Sequence, residues 1–125
     1  MNPKNNPDVS EKLAELQQRY FEQLPTKIKE IESLWQNYNV DSPDDSFINS
    51  LYQHAHTLTG SSGTFGAEQL SREAKELAIF LKKILEQHKL PTTEDSEVIS
   101  RIIHQIKEQA QNSIYLIEKN SHWQE

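Results

Sequence analysis

The stretch FINSLYQHAHTLTGSSG, residues 47–63, decides the fold of this chain and carries its most informative side chains. On a helical wheel of about 100° per residue, Phe47, Leu51, His54 and Leu58 fall within about 60° of one another. This apolar stripe predicts an amphipathic helix that has one face in a protein core.

Two histidines in this stretch have different predicted environments. His54 lies on the apolar stripe and is expected to be packed in the core or half-buried, with a second titrating site beside His56 as the alternative. His56 lies roughly 160–170° away and is expected to face solvent. Gly60 at i+4 and Gly63 at i+7 follow the same exposed line as His56. A glycine inside a helix costs about 1 kcal/mol relative to alanine, so stability alone does not explain them. Their placement predicts clearance, which is bare backbone that lets another macromolecule approach the imidazole.

Apolar residues recur at helical spacing elsewhere in the chain too, and prolines separate the periodic segments. The three glycines all lie between residues 60 and 66, which disfavours β-hairpins. Five helical segments are predicted, over about Asp8–Gln23, Thr26–Tyr38, Pro43–Gly60, Ala67–Gln87 and Glu94–Glu118.

The first two segments are separated only by Pro25 and are therefore either two helices or one kinked helix. The pattern predicts an all-α four-helix bundle with an additional short N-terminal helix or a kinked first helix. We expect one domain over residues 8–120, with flexible tails at 1–7 and 121–125.

Composition excludes several classes of function. Thirteen Lys and Arg against nineteen Asp and Glu give a net charge of −6, which argues against nucleic acid as a partner. The absence of cysteine excludes disulfides, thiol catalysis and cysteine-type zinc sites. No apolar run approaches the ~20 residues of a membrane span, and the N-terminus does not look like a secretion signal. A cytoplasmic monomer without membrane insertion is therefore expected.

An exposed, accessible imidazole is a nucleophile at neutral pH and suits phosphoryl transfer, in which attack must be in line. The nearby hydroxyls of Thr57, Thr59, Ser61 and Ser62 could solvate phosphoryl oxygens, although both serines could equally cap the helix end. The chain has no phosphate-binding loop, no kinase glycine loop and no carboxylate cluster for Mg²⁺. The catalytic metal would therefore have to come with a partner.

The run His56–Ala67, HTLTGSSGTFGA, followed by Leu70-Ser71 and by the AKEL of residues 74–77, resembles the histidine-containing phosphotransfer (Hpt) domains of bacterial two-component phosphorelays. The resemblance implies a four-helix bundle that is a phosphocarrier and not an enzyme. It implies that His56 accepts the phosphoryl group, through its outward Nε2, and that Gly60 matches the family's glycine. The implied partner is the receiver domain of a response regulator or hybrid histidine kinase, which supplies an Asp and Mg²⁺; no cofactor or metal is expected in this chain.

Around His56, Thr59, Gly60 and Gly63 are expected to border the phosphoryl group or to give it clearance. The exposed face of this helix and the adjoining face of the next one are expected to form the docking surface for the receiver. Its predicted members are Asn49, Tyr52, Gln53, Arg72 and Lys75.

The chain departs from the family pattern at two positions. Thr59 stands where the family often has a lysine that helps to hold the phosphoryl group, so a cation from another helix, Lys75 or Arg72, would have to replace it. Ala78 stands where the family often has an acidic residue. In having an uncharged residue after the Leu of the histidine motif, the chain is similar to Hpt modules that are fused to receiver and diguanylate cyclase domains. A longer parent protein that contains such domains is therefore plausible.

Two alternatives remain open at this stage. One is an Hpt-like docking module that binds a receiver domain without being phosphorylated, for which Thr59 is the supporting feature. The other is a metal-binding helical bundle, which is disfavoured because His54 and His56 point apart and no Glu-x-x-His pair faces the core.

Overall fold

The computed structural model describes residues 7–39 and 44–123, which form four α-helices and, over those ranges, no strand. The helices are α1 (Pro7–Gln36), α2 (Asp45–Thr64), α3 (Glu68–Glu86) and α4 (Thr93–Trp123). They contact one another in the cyclic order α1–α2–α3–α4 and back to α1. The predicted all-α four-helix bundle is confirmed.

The first helix continues through Pro25, so of the two alternatives left open there, two helices or one kinked helix, the structure has a single helix. Proline has no N–H to donate to the carbonyl of Phe21, so local propensity disfavours this continuation. Packing favours it, because one stripe of α1 stays in the core on both sides of the proline. The structure therefore has one long helix in place of the two predicted segments, and its buried residues are Tyr20, Phe21, Leu24, Ile28 and Ile31.

The core is built from one apolar stripe of each helix. In α2 the buried stripe is rotated slightly from the predicted one. Ile48 is buried, whereas Phe47, which was predicted to lie on the stripe, is only half-buried. Burial of these side chains is the main stabilising term of the bundle. The fully buried members of α3 and α4 include Leu70, Ala74, Leu77, Leu81, Ile99, Ile102 and Ile106.

A side-chain cap and a glycine mark the two ends of α2. Asp44 is the N-cap, and its carboxylate accepts a hydrogen bond from the N–H of Ser46 at 2.9 Å, which lowers the pKa of the Asp44 carboxyl. The helix ends at Thr64, four residues beyond the predicted end at Gly60. Gly66 follows in the left-handed region, with φ 86°, and allows the chain to turn into α3.

The other helix bounds lie close to the predicted ones. The α3 helix agrees with its prediction to one residue at each end. The α4 helix extends to Trp123, so residues 121–123 of the predicted C-terminal tail are helical. Pro7 begins α1, and the rest of the predicted tails, residues 1–6 and 124–125, lies outside the described residues. No helix of the described residues combines the length and apolarity that crossing a bilayer requires.

Candidate functional site

The outward face of α2 presents His56 to solvent, as predicted. The opposite side of the helix is held in the core by Leu51, Ala55 and Leu58, each at most 3% exposed. Since residues 55 and 58 lie about 100° and 160° around the helix from residue 56, burying them forces His56 outward. The exposure of this imidazole is thus a consequence of the core pattern.

His54 lies at the boundary between α1 and α2 and not inside the core, with 39% of its side chain exposed. Its Nδ1 is 2.9 Å from the carbonyl oxygen of Ser50, and its Nε2 is 3.5 Å from Oε2 of Glu30 on α1. His54 is therefore half-buried, which agrees with the expectation of core or half-buried packing. The stripe of α2 is centred nearer Ile48 and Ser62, both buried, than the wheel assumed, and this places His54 at its edge.

The ring of Tyr52 stacks on the ring of His56. The two centroids are 5.8 Å apart and the planes differ by 23°. Tyr52 is half-buried and precedes His56 by one turn, the spacing at which side chains on a helix meet. The sequence reasoning placed Tyr52 on the docking surface and missed this contact, although the i, i+4 spacing of two rings could have indicated it.

Gly60 leaves open space beside the imidazole. A Cβ atom built on Gly60 would meet nothing within 4 Å. The helix continues to Thr64, so Gly60 lies inside it and does not serve as its C-terminal cap. A glycine that neither ends the helix nor relieves a contact is the arrangement that the clearance hypothesis requires.

Gly63 has a different environment, because a Cβ atom there would lie 3.3 Å from Oγ of Ser71 on α3. Ser71 in turn donates a hydrogen bond of 2.7 Å to the carbonyl oxygen of Thr59. The missing side chain of Gly63 therefore allows α2 and α3 to approach closely, and this bond fixes their register beside His56.

The family model of the Hpt domain matches residues 15–109, which include all of α2 and α3. The chain belongs to the Hpt domain family. Neither the curated proteins nor the solved structures compared with the chain gave a match. Membership rests on more than half of the chain, and it agrees with the four-helix fold and with the family resemblance noted in the sequence.

Most hydroxyls near His56 in this Hpt domain are already engaged within the protein. Thr59 donates to the carbonyl oxygen of Ala55 at 2.8 Å, and the buried Ser62 donates to that of Leu58 at 2.5 Å. The Ser61 hydroxyl is paired at 2.9 Å with that of Tyr20, whose pKa is raised by burial. These partners favour the structural interpretation of both serines over phosphoryl solvation. Thr57 is exposed.

The remaining predicted docking residues of the Hpt domain are all exposed. Since α2 and α3 are antiparallel and Ser71 contacts Thr59, Lys75, one turn further along α3, lies level with His56. Arg72 follows Ser71 on a more outward face of α3. Lys75 is therefore the better placed of the two candidate cations. The predicted docking residues that are exposed are Asn49, Gln53, Arg72 and Lys75.

Within residues 7–39 and 44–123 of the Hpt domain, no three His, Cys, Asp or Glu side chains are grouped so that they could hold a metal ion.

Proposed function

We propose that this Hpt domain carries a phosphoryl group on His56, which it accepts from the aspartyl phosphate of one receiver domain and donates to the aspartate of another. The observation that carries the proposal is the exposed imidazole of His56 beside the open space at Gly60. Hpt domains are phosphocarriers in phosphorelays, and an accessible ring nitrogen is what that role requires.

The proposed transfer is a displacement at phosphorus. The lone pair of the attacking imidazole nitrogen, for which we propose Nε2, forms an N–P bond while the acyl P–O bond of the donor breaks. The bonding electron pair leaves with the donor carboxylate, and the ring gains positive charge until its Nδ1 proton is released to solvent. Donation to the second receiver is the same step in reverse. The chain's own contribution is to hold the ring in the open and to leave room for in-line attack.

The partner's Asp and Mg²⁺ complete the proposed site. A receiver domain docked over His56 would contact the exposed face of α2 and the adjoining face of α3, including Asn49, Gln53 and Lys75. Lys75, level with His56, is the cation we propose for the phosphoryl oxygens. A cytoplasmic location follows from this proposal, because the donor and acceptor receivers act there.

The proposal is tested by labelling the purified domain with a panel of receiver domains phosphorylated by a small-molecule phosphodonor in Mg²⁺. We expect at least one receiver to transfer phosphate to the domain, and the product to be acid-labile and alkali-stable. Mass spectrometry under non-acidic conditions should place the phosphate on His56. If a receiver binds and no phosphate is transferred, the second candidate, a docking module, is correct; the engaged hydroxyl of Thr59 is the observation that favours it.

Replacing Thr59 by lysine is expected to lengthen the lifetime of the phosphorylated domain. In the present structure the Thr59 hydroxyl donates to Ala55, so position 59 offers neither a charge nor a free donor. A lysine there adds a cation near the phosphoryl oxygens, and an exposed ion pair predicts a two- to fivefold slower hydrolysis, about 0.5–1 kcal/mol. The decay of acid-labile phosphate at pH 7.5 measures this, with Thr57→Lys as the control on the same turn. An unchanged lifetime would show that Lys75 already suffices.

A further inference from the structure

The stacked pair of Tyr52 and His56 is a feature that the proposed transfer does not explain. His56 is exposed, and a solvent-exposed side chain ordinarily exchanges among its rotamers. Tyr52 is half-buried and packs against the hydrophobic core, so its ring is a fixed surface on which the imidazole can rest. The centroids are 5.8 Å apart and the planes differ by 23°, so the two rings are nearly parallel and laterally offset.

This contact orients the imidazole without blocking it. The lone pair of a ring nitrogen lies in the plane of the ring, so attack on phosphorus uses an edge and not a face. Tyr52 lies on the turn of α2 before His56 and the open space at Gly60 lies on the turn after it, so the contact with Tyr52 is on the side of the imidazole away from that space. Within residues 7–39 and 44–123, no hydrogen bond or ion pair joins His56 to another side chain, and the imidazole has a ring contact with Tyr52.

The same contact suits the charge that develops during transfer. The imidazole is neutral before attack and becomes positively charged as the N–P bond forms. A cation within about 6 Å of an aromatic centroid is attracted by the negative face of the ring, more strongly than a neutral group is. The contact therefore stabilises the transition state more than the ground state, which is the condition for accelerating the reaction.

We infer that Tyr52 is a positioning residue for phosphoryl transfer, because its ring holds the His56 imidazole in one orientation and stabilises the charge that the imidazole gains. The inference rests on the proposed function of His56. It assigns Tyr52 a role in the rate of transfer, in addition to any part in docking the receiver.

The test compares wild type with Tyr52→Leu and Tyr52→Phe. In Tyr52→Leu we expect the ring-current shift of the His56 imidazole protons in NMR spectra to disappear. The transfer rate at saturating phosphorylated receiver should fall about three- to tenfold. Tyr52→Phe keeps the aromatic face and should restore both quantities. The dissociation constant for the receiver is measured separately in each variant, so that an effect on docking is distinguished from an effect on the saturating rate, and circular dichroism checks that both variants fold.

Each outcome has a defined meaning. A saturating rate in Tyr52→Leu equal to that of wild type overturns the inference, and so does a change confined to receiver affinity, which would make Tyr52 a docking residue only. Failure of Tyr52→Phe to restore the rate also overturns it. If wild type accepts no phosphate from any receiver, the proposed function itself fails, and the NMR shift then reports only whether the stack exists.

Discussion

Replacing His56 by glutamine is expected to abolish labelling of the domain by phosphorylated receivers. Glutamine keeps a polar, hydrogen-bonding side chain but has no nucleophilic nitrogen, so transfer should fall by at least about a thousandfold. His56 is exposed and contributes nothing to the core, so the helical circular dichroism and the unfolding midpoint should stay unchanged. Incorporation of acid-labile phosphate from a labelled receiver is the measurement.

The matched control is His54→Gln, two residues away on the same helix. His54 is half-buried and directed towards Ser50 and Glu30, so losing its imidazole should leave labelling within about twofold of wild type. Labelling that persists in His56→Gln and disappears in His54→Gln would show that His54, and not His56, carries the phosphoryl group. That result would refute the proposal.

Replacing Gly60 by glutamine is expected to slow transfer by about a hundredfold, because the new side chain enters the space through which the receiver approaches. The same change should stabilise the fold by roughly 0.5–1 kcal/mol, since glycine is a poor helix former and a Cβ atom at this position meets no neighbour. Activity and stability therefore move in opposite directions, so unfolding cannot explain the loss of transfer.

Gly60→Ala separates the two effects. Its single methyl group should give the gain in unfolding free energy, of about 1 kcal/mol, with a much smaller loss of transfer rate. Single-turnover transfer and urea denaturation measure the two quantities in all three proteins. A normal transfer rate in Gly60→Gln would remove the clearance argument and leave the glycine without a functional explanation.

The apolar periodicity and the scarcity of glycine were sufficient to predict an all-α bundle and the approximate bounds of α3. They left open whether Pro25 separates two helices or lies inside one kinked helix, because a local rule about the missing N–H contains nothing about the packing of α1 against its neighbours. The helical wheel was also inexact at the edge of the α2 stripe, where half-burial of His54 was one of the two expected outcomes. The wheel took Phe47 as buried, and the buried residue is Ile48, so the stripe is rotated away from His54.

Within the site, properties of a single helix were predictable and contacts between helices were not. The exposure of His56 follows from the apolar pattern of α2 alone. The approach of Gly63 to Ser71 depends on the register between α2 and α3, about which neither segment carries information. The orientation of a hydroxyl cannot be predicted from the sequence either. The hydroxyls of Thr59 and Ser62 could have pointed outward, and in the structure they donate to carbonyls of their own helix.

The hydrogen bond from Ser71 to the carbonyl of Thr59 has a consequence for the direction of signalling. It holds the turn that follows His56 against α3, so on the proposed function we expect phosphorylation and dephosphorylation of the imidazole to leave the backbone there in place. The proposed carrier would have no built-in directionality, and the net flow of phosphate through it would be set by the phosphorylation levels and concentrations of its two proposed partners. When the downstream partner is the more highly phosphorylated of the two, the domain would return phosphate to the upstream partner.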